Sequence, residues 1–311
     1  METQNTIYVL GSGAIGFPLA AHLAAAGRPV VAVRTSRGDI PRGAVEVAVR
    51  GADGPLIASV ETVSLAQLGR LDGLVVLATK AYANEAIARE LRARGAAGPL
   101  VILQNGVGVE RPFLEAGFPE VYRCVLYITS QAISAREFAV RPVAASPIGV
   151  VRGGAEGVAR CVAALHTPGF PFRAEERIER EVWKKAIINA AFNSICPLLE
   201  VDNGVFVRDE AARALAREVI GECVALTDRL GLGLGEGELL DQLLLISGRS
   251  DGQLISTLQD LRAGRPTEIE SLNLAIARAG AALEPPLALP RVELLGRLVA
   301  AKSALGRAPA P

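Results

Sequence analysis

Gly11-Ser12-Gly13-Ala14-Ile15-Gly16 stands between a short β-branched run, Thr6 to Leu10, and a run with helical spacing, Ala14 to Ala26, that Gly27 stops. A G-x-G-x-x-G between a strand and a helix admits few folds. Its first glycine permits a tight turn, its second lets the backbone approach a pyrophosphate, and its third lets helix and strand pack closely. The free N–H groups of the first helical turn then face the phosphates. The spacing alone is weak evidence; the strand–turn–helix setting at the start of the chain gives it weight. The competing reading is a glycine turn without a ligand. Pro18 lies just past the free first turn and is expected to cost some helix stability.

The same alternation continues. Val30 to Val33, Leu74 to Ala78 and Leu100 to Leu103 read as strands, and ANEAIARELRARG between the last two reads as a helix closed by glycine. Such alternation implies an α/β, Rossmann-like, doubly wound and mainly parallel sheet covered on both faces. Near His166-Thr167-Pro168-Gly169-Phe170-Pro171 the texture changes, and from there almost every segment is helical in pattern. A chain of 311 residues suits two domains. The expected division is 1–170 for a dinucleotide-binding domain and 171–311 for an all-helical one, with Pro285 and Pro286 breaking one helix before the last.

The end of the second strand selects the dinucleotide. An NAD site places an acid there for the ribose hydroxyls, whereas an NADP site prefers a cation for the 2′-phosphate. The chain reads Val33-Arg34-Thr35-Ser36-Arg37, with no carboxylate before Asp39. Arg34 is therefore the expected phosphate clamp, supported by Thr35, Ser36 and Arg37. A solvated loop charge is the alternative. Two further turns follow apolar strands where a doubly wound sheet opens its ligand crevice: Ala78-Thr79-Lys80-Ala81-Tyr82 and Gln104-Asn105-Gly106-Val107-Gly108.

In the helical half, Lys185, Asn189 and Asn193 are spaced i, i+4, i+8 among apolar neighbours. Successive members rotate by about 40°, so they form one stripe. Asparagine is a poor helix former and a buried amide needs partners. The stripe reads as the lining of a cleft; hydrogen bonding to a neighbouring helix is the alternative. Glu268, in Arg265-Pro266-Thr267-Glu268-Ile269-Glu270, reads from pattern alone as structural, with Thr267 as a helix N-cap and Glu270 completing a capping box.

VLGSGAIG, LATKAY, LQNGVG, VWKKAIINAAFNSICPLLEVDNG and ISTLQDLRAGRPTEIESLN, in this order over nearly the full length, resemble the ketopantoate reductase family. The resemblance implies NADPH-dependent reduction of 2-dehydropantoate to (R)-pantoate, a step of pantothenate biosynthesis. It makes Lys185 the general acid, and it overrides the structural reading of Glu268, which becomes a catalytic and cofactor-contacting carboxylate. It puts Asn105, Asn189, Asn193, Asn203 and Ser256 at the substrate. It puts Gly11, Ser12, Gly13, Ala14, Ile15, Gly16, Lys80 and Asn105 at the NADP(H), beside Arg34. A cleft between the two domains would let closure exclude water. One segment departs from the pattern. The family's glycine- and histidine-bearing stretch is replaced by Ser134 to Ala145, read here as a surface hairpin, with Arg136 and Arg141 as candidate anion contacts.

Composition removes other classes. Lys plus Arg and Asp plus Glu are 33 each, so the bulk charge expected of a nucleic-acid binder is missing. Cys124, Cys161, Cys196 and Cys223 form no CxxC, and two histidines are too few for a His-based metal centre. No apolar run approaches the ~20 residues of a membrane span, and METQNTIYVLGSG lacks a basic n-region and a long h-region. The expectation is a cytoplasmic enzyme that binds no metal, nucleic acid or membrane. The alanine-rich apolar helices of the second half offer a homodimer face. The alternatives are a reductase of another 2-oxo acid on this fold and a non-catalytic NADP-binding sensor.

Overall fold

The computed structural model describes residues 6–35, 42–51 and 54–307. By its contacts the chain divides into two compact units, 1–104 with 109–178, and 105–108 with 179–311.

The first unit is built on β1 (Thr6–Leu10), β2 (Val30–Arg34), β3 (Gly43–Gly51), β4 (Gly54–Ser64), β5 (Gly73–Leu77), β6 (Leu100–Ile102), β7 (Val121–Cys124), β8 (Ile128–Ala132), β9 (Glu137–Pro142), β10 (Ser146–Arg152) and β11 (Phe172–Ala174). Among the described residues they form one sheet, in the order β11-β10-β7-β6-β5-β1-β2-β4-β3-β9-β8. Pairing is antiparallel at β3–β4, β7–β10 and β8–β9, and parallel elsewhere. This is the doubly wound, mainly parallel arrangement the alternation implies. Both faces are buried, as parallel strands require. Ile7, Val9, Leu74, Val76 and Val101 enter one core, with Phe17 and Leu19 of α1 (Gly16–Ala25) and Val158 and Leu165 of α4 (Ala155–Leu165). Tyr8, Leu10, Val75, Leu77, Leu100 and Ile102 point the other way. They meet Ile87 and Leu91 of α2 (Asn84–Ala93) and Phe113 of α3 (Arg111–Glu115).

Two expectations change. Helix α1 starts at Gly16 rather than Ala14, so Pro18 falls inside its first turn; Phe17 and Leu19 on either side bond to the Gly13 and Ile15 carbonyls, and the Ala14 carbonyl that Pro18 cannot serve accepts from the Ser130 hydroxyl. The segment replacing the family stretch does form a hairpin, β8–β9, and it packs near the glycine-rich turn rather than standing free. Phe138 lies 6.1 Å from Phe17, ring to ring, and the Ser130 hydroxyl donates to the Ala14 carbonyl.

The second unit contains α5 (Ile178–Leu199), α6 (Val205–Arg208), α7 (Glu210–Arg229), α8 (Glu236–Arg249), α9 (Ser256–Arg262), α10 (Asn273–Ala281) and α11 (Pro290–Leu305). Its core gathers around α5, where Trp183, Ile187, Ala190, Ala191, Phe192 and Ile195 are buried with Ile220 and Cys223 of α7, Leu239 and Leu243 of α8, and Ile276 of α10. No helix among the described residues is long and apolar enough to cross a membrane.

Candidate active site

The glycine-rich turn leaves β1 through Gly11, whose φ is +104° and whose N–H donates to the Val33 carbonyl at 2.9 Å. A Cβ at Gly11 would stand 2.8 Å from the backbone of Ala78 and Thr79, and one at Gly16 would overlap the Gly11 carbonyl oxygen. The space a Cβ would enter at Gly13 is open. No side chain caps the start of α1, and its first turn holds no acid. A dinucleotide fits these residues: Gly13 is exposed and open above its Cα, and α1 begins at Gly16 just beyond it, so a phosphate could approach the helix start. Arg34 closes β2 with its guanidinium 5.7 Å above the Phe17 ring, and its buried Nε has no hydrogen-bond partner among the described residues. Ser36 and Arg37, its expected supports, lie outside the described residues, as does Asp39. Lys80 sits half-buried in the turn that faces Gly11 through Thr79.

The remaining candidates belong to the second unit. Lys185 and Asn189 are half-buried one turn apart on α5, and Asn193 is buried one turn further. Asn193 is tied to protein: its Nδ2 donates to the Asn189 carbonyl at 3.0 Å, and its Oδ1 accepts from Thr257 Oγ1 at 2.6 Å and Ser256 Oγ at 3.5 Å. It thereby ties the start of α9, and Ser256 with it, to the stripe. The neighbouring ammonium is kept apart. Lys184 and Arg180 both pair with Glu238 on α8, at 2.8 and 2.6 Å. Burial pushes the Glu238 carboxyl up, and the hydrogen bonds from Lys184 and Arg180 outweigh it, holding the group below its usual range.

Glu268 occupies a turn, not a helix start. Helix α10 begins at Asn273 without a side-chain cap, so the Thr267–Glu270 capping box is not formed. The turn is closed instead by the Ser271 N–H and hydroxyl, each 3.0 Å from the Glu268 carbonyl. Its far side seats the Asn105 loop: Val107 N–H donates to the Ser271 carbonyl at 3.0 Å, and a Cβ at Gly106 would lie 2.2 Å from that oxygen. The Asn105 and Glu268 segments, 163 residues apart in the chain and both assigned to one site by the resemblance, are thus joined through backbone contact. Asn273 Nδ2 donates to the Ala190 carbonyl at 3.2 Å and anchors the same region to α5.

Asn203 is buried, with its Oδ1 unpartnered among the described residues. Its backbone is held by the Gln253 carbonyl and the Ser247 hydroxyl, at 2.8 and 2.7 Å. Arg208 clamps the loop by donating to both oxygens of Asp202, 2.9 Å each, and to Asp251. The Arg208 hydrogen bonds hold the Asp202 carboxyl below its ordinary value. Thr257, Ser271, Asn273 and Arg208 escaped the sequence reading. Each acts through a partner distant in the chain, and none carries a spacing signal.

Residues 7–149 match the model of "Ketopantoate reductase PanE/ApbA" and residues 177–303 that of its C-terminal part. A 2-dehydropantoate 2-reductase of Pyrococcus horikoshii is 30% identical, over 96% of this chain and 98% of the relative. The chain belongs to the ketopantoate reductase family. Its fold is that of a PanE/ApbA family ketopantoate reductase from Ralstonia eutropha, with TM-score 0.82 and 24% identity over 97% of this chain and 99% of the other. A D-mandelate dehydrogenase solved with NADH and anilino(oxo)acetate shares that fold equally, with TM-score 0.82, 19% identity and coverage of 97% and 99%. Like its relatives, this family member is an oxidoreductase.

Proposed function

We propose that the protein reduces 2-dehydropantoate to (R)-pantoate with NADPH, the first unit holding the cofactor and the second the substrate. The observation that carries this reading is the joining of the Asn105 loop, the Glu268 turn and the Ser256 helix to the unit whose central helix bears Lys185 and Asn189. The glycine-rich turn, Lys80 and Arg34 would hold the dinucleotide, with Arg34 against the 2′-phosphate. The bound cofactor supplies the hydride that reaches the ketone carbon. As the carbonyl oxygen gains negative charge, the Lys185 Nζ stabilises it and gives it a proton, which solvent then restores. Asn189, Asn203 and Ser256 supply neutral donors for the substrate's carboxylate and hydroxyl. Glu268 orients a hydroxyl or tunes the lysine, since a nearby carboxylate favours the ammonium form. Asn193 serves this site by fixing α9 against α5.

Reduction of a different 2-oxo acid is the second reading, favoured by the β8–β9 hairpin standing where the family carries its glycines and histidine. A sensor without turnover has no use for a lysine proton donor. The test is oxidation of NADPH and NADH against a panel of 2-oxo acids including 2-dehydropantoate, pyruvate and phenylglyoxylate. The highest kcat/KM is expected for 2-dehydropantoate with NADPH. A tenfold preference for another acid would establish the second reading, and cofactor binding without any turnover would establish the sensor.

A further inference from the structure

Two buried side-chain amides connect the turns at the carboxyl ends of β5 and β6. Asn84, 2% exposed at the first position of α2, and Gln104, 5% exposed just beyond β6, form a reciprocal pair. Asn84 Nδ2 donates to Gln104 Oε1 at 2.8 Å, and Gln104 Nε2 returns a bond to Asn84 Oδ1 at 2.7 Å. Each amide has a second N–H. That of Asn84 goes to the Val109 carbonyl at 2.8 Å, and that of Gln104 to Thr79 Oγ1 at 3.1 Å. A carboxamide has two donors, so both side chains are fully used as donors. The Gln104 backbone carbonyl accepts from the buried Arg123 at 3.2 Å, and Arg123 also donates to the Glu110 carboxylate at 2.8 Å.

The atoms these bonds fix are telling. Thr79 precedes Lys80, and its backbone nitrogen is the floor against which Gly11 sits. Gln104 is the entry stem of the loop Asn105–Gly108, and Val109 and Glu110 form its exit stem. One network therefore holds the Lys80 turn and both ends of the Asn105 loop. Capping does not explain Asn84: the start of α2 has no side-chain cap hydrogen bond, and the amide faces Val109 and Gln104 instead. Filling the core does not explain it either, because burying two amides is costly unless every polar atom is matched, and an apolar pair would avoid that cost.

We propose that Asn84 and Gln104 are positioning residues for the reduction, tying the Lys80 turn to Gln104 and Val109, the two stems from which the Asn105 loop leaves the first unit. The proposal rests on Lys80 and Asn105 contacting the ligands. Misplacement of a binding group by about 1 Å can cost about 100-fold in rate, so loosening either stem should be felt mainly in kcat.

The test uses the full-length protein with Asn84→Ala and Gln104→Leu, and with Asn84→Ser as a milder variant should Asn84→Ala fail to fold. Amide hydrogen exchange is followed in the absence of ligand, NADP+ affinity by titration, and kcat and KM with the best 2-oxo acid of the panel. Expected for the Asn84 variant is exchange at 105–109 faster by about tenfold, which corresponds to ~1.4 kcal/mol of lost local stability, with α5 and α7 unchanged. Its kcat should fall by about 10–100-fold with KM for the 2-oxo acid within about threefold. Gln104→Leu, which also frees Thr79, should in addition weaken NADP+ by about fivefold or more, the scale of one lost hydrogen bond. Unchanged exchange at 105–109, or accelerated exchange with kcat intact, would overturn the proposal. Were the wild type to reduce no 2-oxo acid, the functional reading would fall while exchange and NADP+ affinity still decided this one: both altered would sustain it, either unaltered would sink it.

Discussion

Under the proposed function, the glycine-rich turn of the first unit and the polar stripe of the second would meet charge by opposite means. At the turn the working groups would be main-chain N–H groups and a helix start, where side chains matter by being absent: Gly11 and Gly16 leave room that a Cβ would take from neighbouring backbone. On α5 they would be side chains. Asn193 is spent on Thr257 and Ser256, and Lys184 is spent on Glu238 while Lys185 lies on the neighbouring flank of the helix. A site made of backbone is fixed by local spacing. A site made of side chains is fixed by partners brought from far along the chain, and it is correspondingly easier to alter without unmaking the fold.

That contrast can be broken most sharply at Gly11. Gly11→Ala meets a positive φ and the Ala78–Thr79 backbone together. It should lower stability by about 3 kcal/mol and weaken NADPH by about 100-fold or more, measured by thermal unfolding and by cofactor titration. Cofactor affinity unchanged in a folded variant would mean the turn does not set the phosphate site.

Arg34 is the point where, under the proposed function, the backbone site would borrow a side chain. Arg34→Ala should weaken NADPH by about 10–100-fold, the range of a lost charge-assisted hydrogen bond of ~1.5–3 kcal/mol, and NADH by less than about threefold. Titration with each cofactor checks this. Equal loss for both would reduce Arg34 to a lid on Phe17.

The smallest effect sharpens the second unit. The Glu238 carboxyl is held low in the folded state, so its pairs stabilise above the unfolded value of about 4.3 and lose that contribution as pH falls through the folded one. The pairs are partly exposed, so Glu238→Gln should cost no more than ~1 kcal/mol at pH 7. The gap in unfolding midpoint between wild type and variant should narrow as pH falls from 7 through the folded-state value. A gap that stays constant throughout acidification would assign the effect to packing instead of charge.

Much of the first unit was readable because its strands alternate faces and its turns carry glycine. β1, β2, β5, β6 and α2 follow from period and punctuation, whereas the β8–β9 hairpin was expected only from the departure of residues 134–145 from the family pattern. The β3–β4 ribbon was not read although its signals are present: Val45, Val47 and Val49 alternate, and Asp53-Gly54 is a turn pair in the sequence. In the second unit the stripe on α5 was visible at helical spacing, whereas its supports were not. Thr267 and Glu270 looked like a capping box, yet the turn there answers to the Asn105 loop through Ser271, a contact no local pattern encodes. Asn84 stayed hidden for a related reason: an asparagine at a helix start reads as a cap, and only the fold reveals Val109 and Gln104 across from it.

Lys185→Ala, assayed with NADPH and 2-dehydropantoate alongside a direct NADPH titration, tests the central claim most directly. The account predicts a fall in kcat of about 10²–10⁴-fold, the span of a lost general acid, with NADPH affinity within about threefold of wild type. Turnover that survives at wild-type rate would show that the proton comes from elsewhere and would contradict the mechanism.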